Sequence, residues 1–568
     1  MFVMPDLPPT PVLAAQSAPA PAAAAPGGSS APSTTQASAT TAPPPATPSA
    51  PAVQPSTATQ PATTPAVKAA AKPATTTARL DVSSHGYRYL VVGNTLLAPT
   101  AVTAAIASAS TPQTAVAALK KTYEASGYFL VALVAELHGQ EVWMRVVEGR
   151  LTHIEGPQQL AKFFKGLEGD SSIRNSDIIR QSTLAQAYAA TNGQQPQISF
   201  KPAPEVGGSS MVIAQTPLPN SHMFGGSLTT GNFGNRYAGH YLAQVQASAQ
   251  YAGFTLQVNH SRALTGMDEN TRGAFYAATG ATLSAITPIG TFQLDDNATR
   301  YELGNKFAPL YPAGKIKRFG ASANQLLYAD GAHSWSLSEG VHRIRDTGTV
   351  FKGSYTLRDQ KYFVWNLDTN YAMRFGGLFN QPASLSLSGG VKLGGARGES
   401  GFVHGLGNPV GHFKVFTAGA DLTQALPKNY SVQLSVSGQT SPDILPSYQQ
   451  WVLGGINNLT AWLPGTIVGD RGYLGRLTVN GPQWEAGPLR LRPALFAEHG
   501  AARYSFITRG SPTWQSLDDV GASLAIGLPI AHTSALLAYA KPVGASGVPR
   551  GTRRGQQSHA FFYLQVAF

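Results

Sequence analysis

From about residue 222 to the last residue, apolar and polar side chains alternate one by one, and the polar partners are rarely charged. In YLAQVQASAQY (241–251), Tyr241, Ala243, Val245, Ala247, Ala249 and Tyr251 share one face, and Gln244, Gln246, Ser248 and Gln250 share the other. Gly253 turns the chain, and Phe254, Leu256 and Val258 then alternate with Thr255, Gln257 and Asn259. The beat recurs in ASLSLS (383–388) and SVQLSV (431–436). A period of two is the signature of a strand with two unlike faces. A soluble sandwich turns its apolar face inward and exposes charge; an uncharged Gln/Ser/Asn face suits a wet lumen, with the apolar face turned to lipid. An open sheet edge in lipid leaves backbone groups unpaired, so the strands have to close into a barrel. The 347 residues from His222 to Phe568, at roughly 20–22 per strand and loop, predict about sixteen strands.

Composition agrees with spanning by strands. Charged residues make up 12% of the 568 residues and Gly numbers 59, yet no apolar run reaches the ~18 residues of a membrane helix. The net charge of +12 comes without a clustered Lys/Arg patch interleaved with aromatics, so no nucleic acid is expected as a partner. With no cysteine there is no disulfide framework, thiolate nucleophile or cysteine metal site. GxSxG, HExxH and Walker-type phosphate loops are missing, so no catalytic, cofactor or metal residue is assigned. The Gly-rich GGSLTTGNFGN (225–235) reads as turn glycines, and His499 beside Glu498 as strand neighbours on opposite faces.

Ahead of the strands lie two other regions. Residues 1–80 are nearly all Ala, Pro, Thr, Ser and Gln, too poor in apolar bulk to offset chain entropy, and predict a disordered, Pro-stiffened linker. No basic segment precedes the apolar stretch near the start and prolines interrupt it, so the export signal is expected upstream. Pro8, Pro9 and Pro11 argue against a helix there. Residues 81–217 read as strand (87–92), helices (99–107 and 112–126, stopped at Gly127) and a hairpin (128–136 and 141–147). The order then repeats: strand 151–154, helices 157–167 and 176–191, strands 197–201 and 211–215. A repeat of about 70 residues predicts two copies of one β-α-α-β-β module, divided into 81–155 and 156–217, with the barrel from 218 to 568.

The closing segment SHAFFYLQVAF (558–568) puts Phe562, Leu564, Val566 and Phe568 on one apolar face, and resembles the last strand of bacterial outer-membrane barrels. Taken with the two modules, the chain from about 81 to 568 resembles the two-partner secretion transporters, the haemolysin secretion/activation family of POTRA-plus-barrel translocases. In the first module VVGNTLL (91–97), YEASGYFLVALV (123–134) and GQEVWMRVVEGRL (139–151) carry the likeness. Its family-like positions are Tyr123, Gly127, Tyr128, Gln140, Glu148 and Gly149. Their ordinary roles are an aromatic helix face, a helix stop and a hairpin edge; the resemblance adds client capture by strand addition at the module's edge. The second module ends KPAPEVGGSSMVIAQTP (201–217).

In WVLGGINNLTAWLPGTIVGDRGYLGRL (451–477), Gly454-Gly455 and Gly469-Asp470-Arg471-Gly472 resemble the family's long inward loop and its next strand. Where the family carries Val-Arg-Gly-aromatic at the tip, this chain has Leu459-Thr460-Ala461-Trp462. PALFAEHG (493–500) resembles the Phe-x-Asp-x-Gly strand whose acid meets that arginine, with Glu498 as the acid and Gly500 following. A buried carboxylate without a cation is costly, so Arg471 or another lumen arginine is expected to partner Glu498 or Asp470. LAIGLPI (524–530) and SALLAYAKPVG (534–544) fit the family's penultimate strands.

The resemblance implies a non-enzymatic translocase of the bacterial outer membrane, with periplasmic POTRA domains. Its partners would be an unfolded secreted protein of haemolysin or filamentous-adhesin type, outer-membrane lipid, and the barrel-assembly machinery acting on the C-terminal strand. An outer-membrane assembly factor and a passive diffusion pore are the alternatives. Assembly factors more often carry additional modules, and porins rarely carry folded periplasmic modules.

Overall fold

A computed structural model describes residues 79–568 except 220, 236, 268–272, 397–401, 403–407 and 507–513. The Ala/Pro/Thr-rich segment read as disordered lies, up to residue 78, outside the described residues. Two compact units divide the described chain: Ser221 ends one and His222 opens the other.

The first unit holds two small sheets. β1 (Leu80–Ser84), β2 (Tyr87–Val92), β3 (Val131–His138) and β4 (Glu141–Glu148) form a sheet in the order β1-β2-β4-β3, covered by α1 (Pro99–Ala107) and α2 (Pro112–Ala125). β2 and β4 run parallel and the other pairs antiparallel. Thr111 caps α2, accepting the Thr114 N–H at 3.3 Å, a bond worth about 1 kcal/mol. Gly127 ends it at φ +89°, a conformation open to glycine. Alternation along β4 turns Val142, Met144 and Val146 onto Ile106, Leu119 and Tyr123.

β5 (Arg150–Glu155), β6 (Gln194–Pro202) and β7 (Gly208–Pro217) form the second sheet in the order β5-β7-β6, with α3 (Gln158–Phe164) and α4 (Asn175–Ala190). β5 and β7 are parallel. The path β2-α1-α2-β3-β4 thus recurs as β5-α3-α4-β6-β7, strand for strand.

Two features differ from the sequence reading. β1 adds a strand to the first sheet; it was not legible because an edge strand buries one side chain here, Val82. The boundary drawn at residue 155 cuts β5 from the sheet it pairs with. The chain changes sheets one peptide after Gly149, whose N–H bonds to the Leu130 carbonyl (2.6 Å), while the Arg150 N–H bonds to Gly207 (2.8 Å).

The second unit is a closed antiparallel barrel of sixteen strands in chain order. Its wall begins with β8 (Phe224–Gly231), β9 (Leu242–Tyr251), β10 (Phe254–Ala263), β11 (Phe275–Thr287), β12 (Gly290–Glu302), β13 (Ala313–Ala329), β14 (His333–Val350) and β15 (Tyr355–Gly376). β16 (Pro382–Gly395), β17 (Phe413–Leu426) and β18 (Tyr430–Thr440) follow. Two short strands, β19 (Trp451–Leu453) and β20 (Ile467–Gly469), then leave the wall and pair with each other. β21 (Arg471–Asn480) resumes it, β22 (Trp484–Ala486) is a short addition to β23 (Leu489–Arg503), and β24 (Gln515–Leu528), β25 (Thr533–Ser546) and β26 (Ala560–Ala567) complete it.

β26 pairs with β8 to close the ring. Tight turns join the strands at one end and longer loops at the other, the arrangement of outer-membrane barrels. Tyr251, Phe254, Trp335, Tyr371 and Tyr430 stand exposed toward the tight-turn end, as an aromatic girdle does at a membrane interface. The inner face is more charged than the alternation implies: Asp295 pairs with Arg318 at 2.8 Å and Asp346 with Arg358 at 2.7 Å.

Candidate functional site: an inward loop held on the barrel wall

The thirty residues between β18 and β21 form the longest connection in the barrel and fold into its lumen. β19 and β20 make the stem, and residues 454–466 the head. Two adjacent glycines turn the chain, Gly454 at φ +111° and Gly455 at φ +108°. A Cβ on Gly454 would run into the Leu463 carbonyl, so the turn excludes every other residue. The Gly455 N–H bonds to the Trp462 carbonyl (2.6 Å) and the Trp462 N–H to Leu459 (3.0 Å), closing the head on itself.

Leu459, Thr460, Ala461 and Trp462 form the tip, and all four are buried. Pairing across β21, β23 and β24 sets Arg476 opposite Glu498 and Glu498 opposite Asp519, so three ionisable side chains stand in one row on the inner wall. Arg476 forms an ion pair with Glu498 through Oε1 and lies 4.4 Å over the Phe496 ring. Oε2 of Glu498 accepts the Thr460 N–H at 2.6 Å, and Oδ2 of Asp519 accepts the Ala461 N–H at 2.8 Å. The wall therefore grips the tip by its backbone.

The other side of the head is held as well. Ser558 N–H donates to the Ala461 carbonyl (3.0 Å), Leu463 N–H to the Gln556 carbonyl (2.8 Å), and Asn235 Nδ2 to the Pro464 carbonyl (3.0 Å). Ile456 and Leu463 pack on Phe561 and Tyr563 of β26. Nearer the start of the loop, Leu445 and Tyr448 pack on Ile344, Tyr362 and Phe413, and Tyr448 also reaches the cluster of Tyr276, Tyr301 and Phe307. The loop thus touches wall strands around the ring.

The remaining motif residues fix the loop's base. Asp470 is buried and accepts N–H bonds from Leu445 (2.9 Å) and Ser505 (2.8 Å). Gly469 and Gly472 permit close passage, since a Cβ would strike the Arg503 carbonyl and the Trp451 ring respectively. At Gly500 a Cβ would lie 3.0 Å from the Leu459 side chain. Arg471 forms no direct ion pair with either acid; its Nε donates to the Ser441 carbonyl at 2.7 Å, and its charge acts on the neighbouring Asp470 through space. The cation for Glu498 is another lumen arginine, Arg476, and Asp519 joins the pair. Neither is singled out by the sequence, because only strand register brings 476, 498 and 519 together.

The outward positions of the closing strand alternate with these contacts: Phe562 and Leu564 are exposed while Phe561 and Tyr563 are buried. Phe568 N–H bonds to the Gly226 carbonyl at 2.9 Å, and its own carbonyl accepts the Gly226 N–H at 2.8 Å.

In the first module the six family-like positions serve its interior and joints. Tyr123 is buried, its hydroxyl donating to Asn94 Oδ1 (2.5 Å) and to Glu148 Oε1 (3.1 Å). Burial, and then the neighbouring Glu148 charge, raise the Tyr123 phenol above its ordinary pKa. Glu148 also accepts the N–H groups of Thr95 (2.8 Å) and Leu96 (2.9 Å). Gly127 accepts the Asn175 N–H at 2.7 Å, and the Tyr128 hydroxyl accepts from Arg174 Nη2 at 3.3 Å, which ties the two modules together. Gly149 sits where the chain crosses between sheets, and the Gln140 carbonyl accepts the Arg88 N–H (2.9 Å) at the β3–β4 turn. The side chains of Tyr123 and Glu148 face the module's own core. The sheet of this module has two edges, β1 and β3, and of these β3 exposes the large apolar side chains Val134 and Leu137.

Residues 207–527, more than half of the chain, match the family described as haemolysin secretion/activation protein ShlB/FhaC/HecB. The heme/hemopexin transporter protein HuxB of Haemophilus influenzae is 26% identical over 122 residues, which are 21% of this chain and 22% of that protein. The match therefore spans about a fifth of that relative's length. Among solved structures, CdiB from Escherichia coli superposes with a TM-score of 0.70 at 18% identity, covering 88% of this chain and 93% of that one. CdiB from Acinetobacter baumannii gives 0.61 at 14% identity, over 80% and 81%. At these identities the two structures speak for the fold.

Proposed function

This chain belongs to the haemolysin secretion/activation family that includes ShlB, FhaC and HecB, and on that premise we propose that it exports one large, unfolded partner protein of haemolysin or filamentous-adhesin type. It is an outer-membrane secretion transporter of the two-partner type, and its N-terminal modules are periplasmic. The observation that carries the proposal is the lumen loop. Its tip is seated by a few hydrogen bonds to Glu498 and Asp519 instead of being part of the wall, so it can be displaced without breaking the barrel ladder. A passive pore would have no use for such a stopper.

The client first adds a strand to the open edge of β3, where backbone bonds supply affinity whatever the client's sequence. Val134 and Leu137 give that edge an apolar surface. Tyr123, Gly127, Tyr128, Gln140, Glu148 and Gly149 act indirectly, by holding β3 and the joint in place. The client then displaces the tip and passes the polar inner face. With no nucleotide in the periplasm, folding of the client outside drives the transfer.

The test is to express the chain with an export signal, together with any large secreted protein encoded beside it, and to measure that protein outside the cells. Export that depends on this chain and fails on deletion of residues 81–217 supports the proposal. Export that continues without those residues overturns it and favours a pore. Val134→Asp with Leu137→Asp is expected to cut export about tenfold, the scale of ~1.4 kcal/mol lost from client capture.

A further inference from the structure

Cations collect on one part of the barrel's outer face. Alternation sorts the strands: Tyr301 on β12 is buried inside, so Arg300 points out; Ile316 on β13 is buried, so Lys315 and Lys317 point out. Ile344 and Asp346 on β14 are buried, so Arg343 and Arg345 point out; Gln360 and Tyr362 on β15 are buried, so Lys361 points out. Arg300 is directly opposite Lys315, and Arg345 directly opposite Lys361. Thr347 Oγ1 bonds to the Lys315 carbonyl at 3.0 Å, which brings β14 alongside, and Lys315 lies within electrostatic reach of Arg300, Lys317 and Arg345.

Within this patch stands one carboxylate, Asp359, 3.1 Å from Arg345 and 3.9 Å from Lys361. Glu302 flanks the patch toward the loops, and Asp296 and Glu339 toward the tight turns. Among the described residues, Arg300, Lys315, Lys317 and Arg343 have no carboxylate partner. Like charges directly opposite on a sheet face destabilise it, so the patch needs an anion.

Its position says which anion. On the same outer face, immediately toward the tight turns, Phe319, Val341, Phe363 and Trp365 are exposed as lipid-facing side chains do. The cations begin where that apolar band ends, on the side of the long loops. That is the headgroup layer of the outer leaflet, where Lys meets phosphate as a point charge and Arg as a two-pronged donor. We propose that the outer face of β12–β15 is a binding site for a phosphorylated glycolipid of the outer leaflet, its phosphates on the cations and its acyl chains on the apolar band. The proposal rests on the outer-membrane placement of the barrel and is independent of the export reading.

The test uses the full chain in a zwitterionic detergent, with a diphosphorylated glucosamine-disaccharide lipid, its monophosphorylated form and its dephosphorylated form as probes, and inorganic pyrophosphate as the acyl-free arm. Bound lipid is read by native mass spectrometry. Diphosphorylated lipid is expected to bind best, with affinity falling as phosphate is removed and as salt is raised. The variant Lys315→Gln, Lys317→Gln, Arg343→Gln, Arg345→Gln is expected to lose at least about tenfold in affinity, while Lys315→Arg with Lys317→Arg retains it. Heat-modifiable gel mobility shows that each variant is a barrel. If the fourfold variant does not assemble, Lys315→Gln with Lys317→Gln takes its place. Equal binding by variant and wild type, equal binding of dephosphorylated lipid, or pyrophosphate binding as tightly as the lipid each overturns the proposal. A loss of lipid binding with export intact leaves the transporter reading untouched.

Discussion

Arg476 is the side chain on which the loop anchor turns. Removing it leaves Glu498 and Asp519 buried and facing each other without a cation, and breaking a buried pair from one side costs about 3–5 kcal/mol. Arg476→Ala is therefore expected to lower the temperature at which the barrel loses its compact gel mobility and to loosen the tip, seen as added ion conductance in planar bilayers. Asp519→Asn takes away one of two facing carboxyl groups and keeps an oxygen for the Ala461 N–H, so it is expected to change stability by less than about 1 kcal/mol. Arg471→Ala, which loses one bond to the Ser441 carbonyl, is expected to fall near that smaller figure as well. If Arg471→Ala proves as damaging as Arg476→Ala, the assignment of the anchor is wrong. In the first module the raised Tyr123 pKa has a definite sign: a tyrosine whose folded pKa is raised contributes stability below its unfolded value of about 10 and loses it as pH rises beyond. Urea melts followed by far-UV circular dichroism at pH 8 and pH 11 are expected to show a loss at high pH that Tyr123→Phe reduces. Glu498, Gly500 and Trp462 were legible from motif spacing, because short-range order in a loop or strand survives divergence. Arg476 and Asp519 were not: they lie 22 and 21 residues from Glu498 along the chain, and only register makes them neighbours.

At the level of elements, the proposed export rests on the loop and on the edge strand. Replacing residues 455–464 by a short Gly/Ser linker removes the head but leaves the base held by Asp470. The conductance is then expected to rise about tenfold or more, since a sixteen-strand wall encloses an aqueous channel once unplugged. An unchanged conductance would mean that some other part of the chain blocks the pore. Helices and strands of the two modules were legible from their periodicity, and their repeat from element order. β1 escaped because an edge strand with a single buried side chain has no pattern to read. The switch between sheets at Gly149–Arg150 escaped because β4 and β5 are nearly continuous in sequence, and only the Leu130 and Gly207 carbonyls decide which sheet takes each residue.

For the molecule as a whole, strand number followed from length divided by a typical strand and loop, since a closed ring in lipid leaves little freedom in either. The lumen was less legible. Alternation promised a polar interior, and Phe561 and Tyr563 break that rule because the inward loop supplies them with apolar partners, Ile456 and Leu463. The closing seam pairs β26 with β8 over five residues, against eighteen between β14 and β15. Amide exchange is expected to be fastest along β8 and β26. Deleting Phe568, which forms two backbone bonds to Gly226, is expected to reduce the fraction of heat-modifiable barrel. The loop anchor also has a consequence in time. Arg476, Glu498, Asp519, Gln556 and Ser558 all follow the tip in the chain. Such distant contacts form late, after the intervening loops have closed. During assembly the tip is therefore expected to dock only once β23, β24 and the segment before β26 are in place, so that an unstoppered stage precedes the sealed barrel.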